Sequence, residues 1–253
     1  MSKNKLAKFA ELNTFGHVIQ LSYSKLMNEG FAFKGRWNPD FFKNNHPIVL
    51  ELGCGKGEYT LGLAKLFPNK NFIGIDIKGS RMWSGAKEAV QEGLVNCGFV
   101  RTNIELLSHF FSLDEVAEIW ITFPDPQMKR TNKRLTSMRF LSDYCKILQS
   151  NGVIHLKTDS DFLYHYTLAT IETNHFHVQV NTNNLYISGL ADEILSIKTY
   201  YEQQWLDRGK TIKYVRYVPH NNNLVEPEVE IAFDDYRSFG RNSTNRDNIE
   251  TKK

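Results

Sequence analysis

Short apolar segments alternate with amphipathic segments from residue 48 onward, and this alternation defines the predicted fold. The predicted strands are Ile48–Leu52, Asn71–Ile75, Gly98–Arg101, Val116–Thr122 and Val153–Lys157. Helical spacing of apolar residues predicts helices over Glu58–Leu66, Ser80–Glu92, Ser137–Leu148 and Asp161–Glu172. Strands that alternate with helices form βαβ units, and such units build a parallel sheet with helices on both faces.

The two ends of the chain follow other patterns. Residues 1–45 scatter aromatic side chains among polar ones, which predicts an irregular extension that packs on the domain or is partly flexible. Phe176–Asn181 and Lys213–Val218 are predicted strands, with a helix over Tyr200–Asp207 between them, and we expect them to form an antiparallel edge. The predicted fold is α/β, a mostly parallel doubly wound sheet over residues 46–235. A polar tail, residues 236–253, is predicted to be frayed.

Composition narrows the class of protein. The 253 residues include 31 Lys+Arg and 28 Asp+Glu, a net charge of +3, so any nucleic-acid-binding surface must be local. Three cysteines without CxxC spacing disfavour a disulfide framework or a zinc site. The sequence shows neither a secretory signal nor an apolar run of the ~20 residues that span a membrane. We therefore expect a soluble, cytoplasmic protein without a required metal.

A glycine-rich turn follows the first predicted strand. Gly53, Gly55 and Gly57 have G-x-G-x-G spacing, which differs from the G-x-G-x-x-G of dinucleotide enzymes. Glu51 precedes them and would repel a pyrophosphate but attract a cationic ligand. Asp76 ends the second strand, where a carboxylate can accept both hydroxyls of a ribose. The pattern favours S-adenosylmethionine over NAD, while a turn without a ligand is the structural alternative.

Two further strand ends carry polar side chains. Asn103 follows the third strand, where the adenine of a nucleoside would lie, although Asn is also a common turn residue. Asp125 follows the fourth strand between Pro124 and Pro126, which restrict the backbone on both sides. A rigid carboxylate at this position would lie over the same crevice as the glycine turn. A structural Asp that caps the turn is the alternative.

A basic run follows directly, with no acidic residue from Lys129 to Arg139. It contains Lys129, Arg130, Lys133, Arg134 and Arg139. Such a run is commonly a solvated surface, but beside a candidate active site it also suits a polyanionic substrate. Asp159 follows the fifth strand, where Ser160 or Asp161 can equally cap the next helix. Spacing alone assigns no role to Thr199 or Glu202.

Together these segments resemble the bacterial single-chain tRNA (guanine-N7-)-methyltransferase family, from about Ile48 to Gly209. The most specific match is Phe123–Pro126 followed by the basic run. The resemblance implies a Rossmann-like class I methyltransferase fold with S-adenosyl-L-methionine as cofactor. It also implies methylation of N7 of a tRNA guanosine, by a monomer or homodimer. This chain departs from the family pattern at Gln127, where Trp is usual, and in a thinner basic cluster with Thr131 and Leu135.

The resemblance also implies residue roles. Asp125 would be catalytic, and the cofactor would be bound by Glu51, Gly53, Gly55, Asp76, Asn103 and Asp125. The substrate would be bound by Lys129, Asp159, Thr199, Tyr200, Tyr201 and Glu202. The residues on the RNA would be Arg130, Lys133 and Arg134.

The expected chemistry needs little from the protein. Guanine N7 has an in-plane lone pair and no proton, so catalysis would consist mainly of positioning N7 against the methyl carbon. Asp125 would favour the cationic product base, Asp159 or Glu202 would accept from guanine N–H groups, and Tyr200 or Tyr201 would stack on a base.

Three alternative functions agree with the sequence to different degrees. An S-adenosylmethionine enzyme with another acceptor explains the glycine turn but not the basic run. A nucleotide-dependent oxidoreductase conflicts with the glycine spacing and Glu51. A non-catalytic RNA-binding protein on the same fold fits as well, because fold does not determine function.

Overall fold

One mixed sheet of eight strands organises the computed structural model, which describes residues 3–220 and 223–235. The strands are β1 Val18–Gln20, β2 Ile48–Leu52, β3 Asn71–Asp76, β4 Cys97–Arg101, β5 Val116–Thr122, β6 Leu148–Thr158, β7 His177–Thr182 and β8 Lys213–Val218. The helices are α1 Lys3–Leu12, α2 Tyr23–Glu29, α3 Glu58–Leu66, α4 Gly79–Gln91, α5 Leu107–Phe110, α6 Met138–Ile147, α7 Asp161–Thr173 and α8 Tyr200–Asp207.

The strand order is β1-β4-β3-β2-β5-β6-β8-β7. The first six strands in this order pair in parallel, whereas β8 pairs antiparallel with both β6 and β7. All five residues of the central strand β2 are buried, as expected where helices cover both faces of a parallel sheet. The predicted doubly wound sheet with an antiparallel edge is therefore confirmed.

Each face of the sheet packs against its own helices. One core cluster includes α6 and α7 through Phe140, Leu141, Leu163 and Ile171. The other includes α3 and α4 through Tyr59, Leu61, Met82 and Ala86. Among the described helices, none combines the length and apolar character needed to cross a membrane. The three cysteines are free thiols.

The expectation that residues 1–45 are irregular is wrong. They contain α1, β1, α2 and a π-helical turn over Trp37–Phe42, and β1 extends the sheet by pairing with β4. Trp83 on α4 donates its indole N–H to Glu11 on α1 over 2.7 Å, and Leu12 is fully buried. These elements are short and gain their stability from tertiary contacts, so the local pattern carries little sign of them.

Several element boundaries also differ from the prediction. Helix α4 begins at Gly79, with Lys78 rather than Ser80 at the capping position. Strand β6 begins at Leu148, directly after α6, so Asn151 and Gly152 lie inside a strand instead of ending a helix. Asn151 has φ +64°, and the β5–β6 register shifts between Val116 and Glu118. The frayed tail predicted from Tyr236 lies outside the described residues.

Candidate active site

The carboxyl ends of five parallel strands meet at one edge of the sheet. The register pairs Leu52 with both Ile75 and Ile121, and Thr122 with Lys157. Candidate residues from the ends of these strands and the loops after them meet at this edge, namely Gly53, Gly55, Asp76, Asn103, Asp125 and Asp159. Open α/β sheets bind ligands at this edge.

The glycine loop is held by the end of the neighbouring strand. The backbone N–H groups of Gly53 and Cys54 both donate to the carbonyl of Ile75, over 2.8 and 3.0 Å. Gly55 N–H donates to Oδ2 of Asp76 over 2.9 Å. Gly53 has φ +79°, and apart from Gly53 and its two chain neighbours no described atom lies within 4 Å of the position that a Cβ would take there. The loop therefore borders open space that a ligand can fill.

Helix α4 approaches the loop closely through a glycine that the sequence analysis did not single out. A Cβ on Gly85 would lie 2.3 Å from the carbonyl oxygen of Lys56, so any larger residue would push the helix away from the loop. On the other side, a Cβ on Gly57 would meet the ring of Phe99 at 2.8 Å. The absence of side chains at Gly85 on α4 and at Gly57 in the loop therefore allows the loop to lie in this position.

Glu51 lies beneath the loop and caps the following helix. Its carboxylate accepts from the backbone N–H of Thr60 over 2.9 Å and from the hydroxyls of Thr60 and Thr122. Gly57 occupies the N-cap of α3 and has no side chain to offer, so Glu51 satisfies an N–H group that would otherwise be unpaired. Burial raises the pKa of the Glu51 carboxyl to about 7, against the opposing hydrogen bonds from Thr122 and Thr60.

The remaining cofactor candidates suit a nucleoside. Asp76 is half-buried and accepts from Gly55 N–H and, through Oδ1, from Lys78 N–H over 2.7 Å. A carboxylate has about four acceptor sites, so two remain for ribose hydroxyls. Asn103 is exposed at the end of β4. The open space at the loop, the acceptor capacity of Asp76 and the buried acid Glu51 fit a ligand that carries a ribose, a base and positive charge.

Asp125 lies on an exposed turn at the end of β5. Phe123 N–H donates to the carbonyl of Lys157 over 2.8 Å, which ties the turn to β6. Phe123 and Gln127 both have φ +48°, a conformation that non-glycine residues rarely adopt. Gln127 N–H donates to Oδ1 of Asp125 over 3.0 Å. The carboxylate is therefore held by its own turn while it remains open to solvent.

The buried position of Arg134 contradicts the prediction that this residue binds RNA. Its side chain is buried, and it donates to the carbonyls of Gln127 and Met128 over 3.2 and 2.7 Å. The guanidinium also lies over the rings of Phe162 and Tyr166, at 4.7 and 4.5 Å. A buried guanidinium with these partners is not presented to a phosphate, so Arg134 instead fixes the loop that carries the other basic residues.

The other members of the basic run are exposed, as an RNA-binding surface requires. Lys129, Arg130 and Lys133 are all exposed. Lys133 pairs with Glu105 over 2.6 Å, and Arg139 approaches the same carboxylate at 3.4 Å. The sequence analysis missed Glu105 because it lies on a different segment, after β4. Exposed pairs of this kind contribute little stability, so a phosphate can replace the carboxylate.

Glu202 is part of a buried ion pair and does not face an open substrate site. Lys157 and Glu202 are 2.9 Å apart, and both side chains are fully buried. Tyr186 donates its hydroxyl to the same carboxylate over 2.6 Å, and Lys157 also donates to the carbonyls of Leu195 and Ile197. Burial lowers the pKa of Lys157, and the charge of Glu202 opposes this effect. The sequence analysis missed both Lys157 and Tyr186.

Two further substrate candidates are buried. Thr199 caps α8 by accepting from Glu202 N–H over 3.1 Å. Asp159 is fully buried, and Lys213 donates to its backbone carbonyl over 3.0 Å. In this conformation neither side chain is open to solvent, so direct contact with a base would require the surrounding segments to move.

Tyr200 and Tyr201 are exposed beside the glycine loop. Lys56, which is part of that loop, lies 4.2 Å from the ring centre of Tyr200. Arg81 on α4 lies 5.5 Å from the ring centre of Tyr201. The first turn of α8, where the sequence analysis expected substrate-binding residues, therefore lies beside the glycine loop and α4. Lys56 and Arg81 are additional cations that it did not identify.

Comparisons with known proteins identify the family of this chain. Residues 45–215 match the methyltransferase family model Methyltransf_4. The tRNA (guanine-N(7)-)-methyltransferase of Bacteroides thetaiotaomicron is 55% identical over the full length of both chains. That of Porphyromonas gingivalis is 59% identical over 91% of this chain and 96% of its own. The chain belongs to the tRNA (guanine-N7-)-methyltransferase family. It therefore uses S-adenosyl-L-methionine, as the sequence analysis expected.

Solved structures support the fold of this family member. The 16S rRNA methyltransferase KamB superposes with a TM-score of 0.57, over 80% of this chain and 95% of its own, at 13% identity. An antibiotic-related methyltransferase superposes with a TM-score of 0.55, over 81% and 98%, at 16% identity. The predicted Rossmann-like class I methyltransferase fold is confirmed.

The buried Glu51 should make the stability of the ligand-free protein decrease as the pH rises. Its folded-state pKa of about 7 lies above the ordinary carboxyl value of 4.5. Its contribution to stability is therefore complete below pH 4.5 and is lost as the pH rises through 7. At 1.36 kcal/mol per pKa unit, the loss is about 3 kcal/mol. Half-buried His17 and buried His155, whose pKa values are lowered by burial, contribute the opposite pH dependence in both proteins. We therefore expect the urea unfolding free energy of Glu51→Gln, relative to that of the wild type, to rise between about pH 5 and 8.

The matched control for this experiment is Glu29→Gln, because Glu29 is 66% exposed. This variant should follow the pH dependence of the wild type. An unchanged free-energy difference between wild type and Glu51→Gln across the pH range would contradict the assignment.

The Lys157–Glu202 pair should show strong energetic coupling. Lys157→Met leaves the Glu202 carboxylate buried without its cation, and we expect it to lower the unfolding free energy by about 3–5 kcal/mol. The double variant Lys157→Met/Glu202→Gln removes the uncompensated charge and should be more stable than the sum of the single effects predicts. Urea unfolding of the four proteins measures the coupling. Strict additivity would show that the two side chains do not depend on each other.

Proposed function

We propose that this protein transfers the methyl group of S-adenosylmethionine to N7 of a tRNA guanosine, at position 46 of the variable loop, forming 7-methylguanosine. The observation that carries the proposal is the exposed Asp125, held on its turn at the strand edge that also bears the open glycine loop. Sequence similarity to relatives that carry this activity in their names, over all or nearly all of both chains, supports the proposal. The exposed Lys129, Arg130 and Lys133 beside Asp125 support a polyanionic substrate.

The geometry of the glycine loop supports the cofactor side of this proposal. Bound S-adenosylmethionine supplies an electrophilic methyl group on a positively charged sulfur. The backbone of Gly53 and Gly55 would border the cofactor, Asp76 would accept hydrogen bonds from the ribose hydroxyls, and Asn103 would bind the base. Glu51 contributes negative charge beneath the loop. Because its pKa is near neutrality in the ligand-free protein, a bound cation would favour its ionised form.

The acceptor side of the site needs positioning more than acid–base chemistry. Guanine N7 carries a free lone pair, so no general base has to remove a proton. Asp125 stabilises the positive charge that develops on the purine during transfer. Tyr200 and Tyr201, 51% and 37% exposed, offer rings on which an unstacked base can lie. Asp159 and Glu202 are buried, so they influence guanine recognition indirectly, by holding the segments that contain them in position.

We also propose that the enzyme acts in the cytoplasm as a monomer or homodimer and requires no metal. A metal ion would activate a weak nucleophile or a poor leaving group, and this reaction has neither. Guanine N7 is already nucleophilic, and the sulfonium is a good leaving group.

The reaction can be tested with purified protein, S-adenosylmethionine and unmodified tRNA, followed by nuclease digestion and mass spectrometry of the nucleosides. We expect 7-methylguanosine with the wild type. Asp125→Ala should reduce the rate by about 10²-fold or more while tRNA binding stays near normal, because the variant loses transition-state stabilisation. Asp125→Asn keeps the shape without the charge and should be comparably impaired. Full activity in both variants would exclude a catalytic role for Asp125.

The basic surface can be tested by charge reversal. Lys133→Glu should weaken tRNA binding and reduce the slope of log affinity against log salt by about one, because one phosphate contact is lost. Lys146→Glu is the matched control: Lys146 is similarly exposed and paired, with Asp143, but lies in the last turn of α6, before the amino end of β6. Equal salt dependence of the two variants would contradict the proposed RNA surface.

A further inference from the structure

The last described segment of the chain crosses the beginnings of two helices. We call residues 224–235 the C-terminal strap. Glu226 in the strap accepts from the backbone N–H of Met138, the first residue of α6, over 3.2 Å, and from the hydroxyl of Tyr166 on α7. Asn174, after α7, exchanges two hydrogen bonds with the backbone of Val225, of 2.8 and 2.7 Å. The strap is therefore attached to the body of the protein through several polar contacts.

Asp234 caps the beginning of α7 from the far end of the strap. Its Oδ1 accepts from Phe162 N–H over 3.0 Å, and its Oδ2 accepts from the hydroxyl of Ser160. Ser160, the N-cap residue, accepts in turn from Leu163 N–H over 3.0 Å. The carboxylate is buried. Two acceptors thus serve the first turn of α7, where negative charge is also favoured by the helix dipole.

The same residue contacts the loop that follows Asp125. Asp234 N–H donates to the sulfur of Met128 over 3.2 Å. Met128 directly precedes Lys129, and Ser160 directly follows Asp159. Asp234 therefore lies between the two segments that carry proposed substrate-binding residues, although it is 75 residues C-terminal to Asp159 and far from both in sequence.

Side-chain packing between the strap and the loop is incomplete. A cavity of about 420 Å³ lies beside these contacts, lined by residues that include Met128, Arg134, Phe162, Glu226 and Phe233. The hydrogen bonds of Arg134 and Asp234 therefore contribute to holding the loop where packing leaves space unfilled.

We propose that Asp234 is a positioning residue that aligns the Lys129 loop and the Asp159 segment for tRNA binding. This inference rests on the proposed function, since it assumes that tRNA is the ligand of these segments. Asp234 itself does not contact the reacting atoms. Its loss should therefore weaken tRNA binding more than it affects turnover or cofactor binding.

The test uses the full-length protein and measures the tRNA dissociation constant, the S-adenosylmethionine dissociation constant and the steady-state parameters. Asp234→Ala should raise the dissociation constant and the KM for tRNA by about ten-fold, with kcat and cofactor affinity within about two-fold, because one capping interaction of α7 is lost. Asp234→Asn can still accept from Phe162 N–H and bond to Ser160, so it should restore most of the tRNA affinity.

The matched control is Ser22→Ala, which removes a comparable side-chain cap, the 3.2 Å bond from Lys25 N–H, at the start of α2. It should leave tRNA affinity unchanged. Equal losses of tRNA and cofactor affinity in Asp234→Ala would overturn the proposal, and so would a loss of tRNA affinity in Ser22→Ala as large as that in Asp234→Ala.

If Asp234→Ala does not fold, Ser160→Ala tests the same contact. Absence of 7-methylguanosine with the wild type would refute the proposed function, whereas normal tRNA binding by a folded Asp234→Ala would refute only this inference.

Discussion

The buried carboxylate of Glu51 is the interaction on which the rest of the site depends. It satisfies the N–H group of Thr60 in the first turn of α3 and the hydroxyl of Thr122 at the end of β5. Thr122 directly precedes the turn that carries Asp125, so one side chain links the glycine loop to the candidate catalytic turn. A buried carboxyl is tolerated here because donors surround it, and burial raises its pKa against the opposing effect of those hydrogen bonds.

A second buried ion pair attaches α8, which carries candidate substrate-binding residues, to strand β6 of the sheet. Lys157, near the end of β6, holds Glu202 in the first turn of α8 and two carbonyls of the preceding segment. In this arrangement Tyr200 lies against Lys56 of the glycine loop and Tyr201 lies against Arg81 of α4. Replacing such a pair by apolar residues can preserve stability, so its contribution here is better understood as orientation of α8 than as stability.

The sequence predicted the framework well because the framework is encoded locally. Strand and helix periods, the glycines after β2 and the polar residues at strand ends are all visible within a few positions. The buried roles of Arg134 and Glu202 were not predictable in this way. Glu202 pairs with a lysine 45 positions away, and Arg134 is enclosed by Phe162 and Tyr166 of a later helix. A charged residue beside a candidate site looks the same in sequence whether it faces the ligand or supports the loop. β1 was missed for a related reason, since three residues acquire strand structure only through pairing with β4.

The division between buried and exposed charges follows from the cost of removing charge from water. A buried ion requires fixed partners, so Arg134, Glu202 and Asp234 are committed to the protein and can act on a substrate only through the segments they hold. An exposed ion has no such commitment. The Lys133–Glu105 pair, with side chains 46% and 31% exposed, gains little from its own contact, and a phosphate can take the place of Glu105 at low cost. Residues next to one another in sequence, such as Lys133 and Arg134, can therefore have opposite roles, one available to RNA and one holding the loop in place.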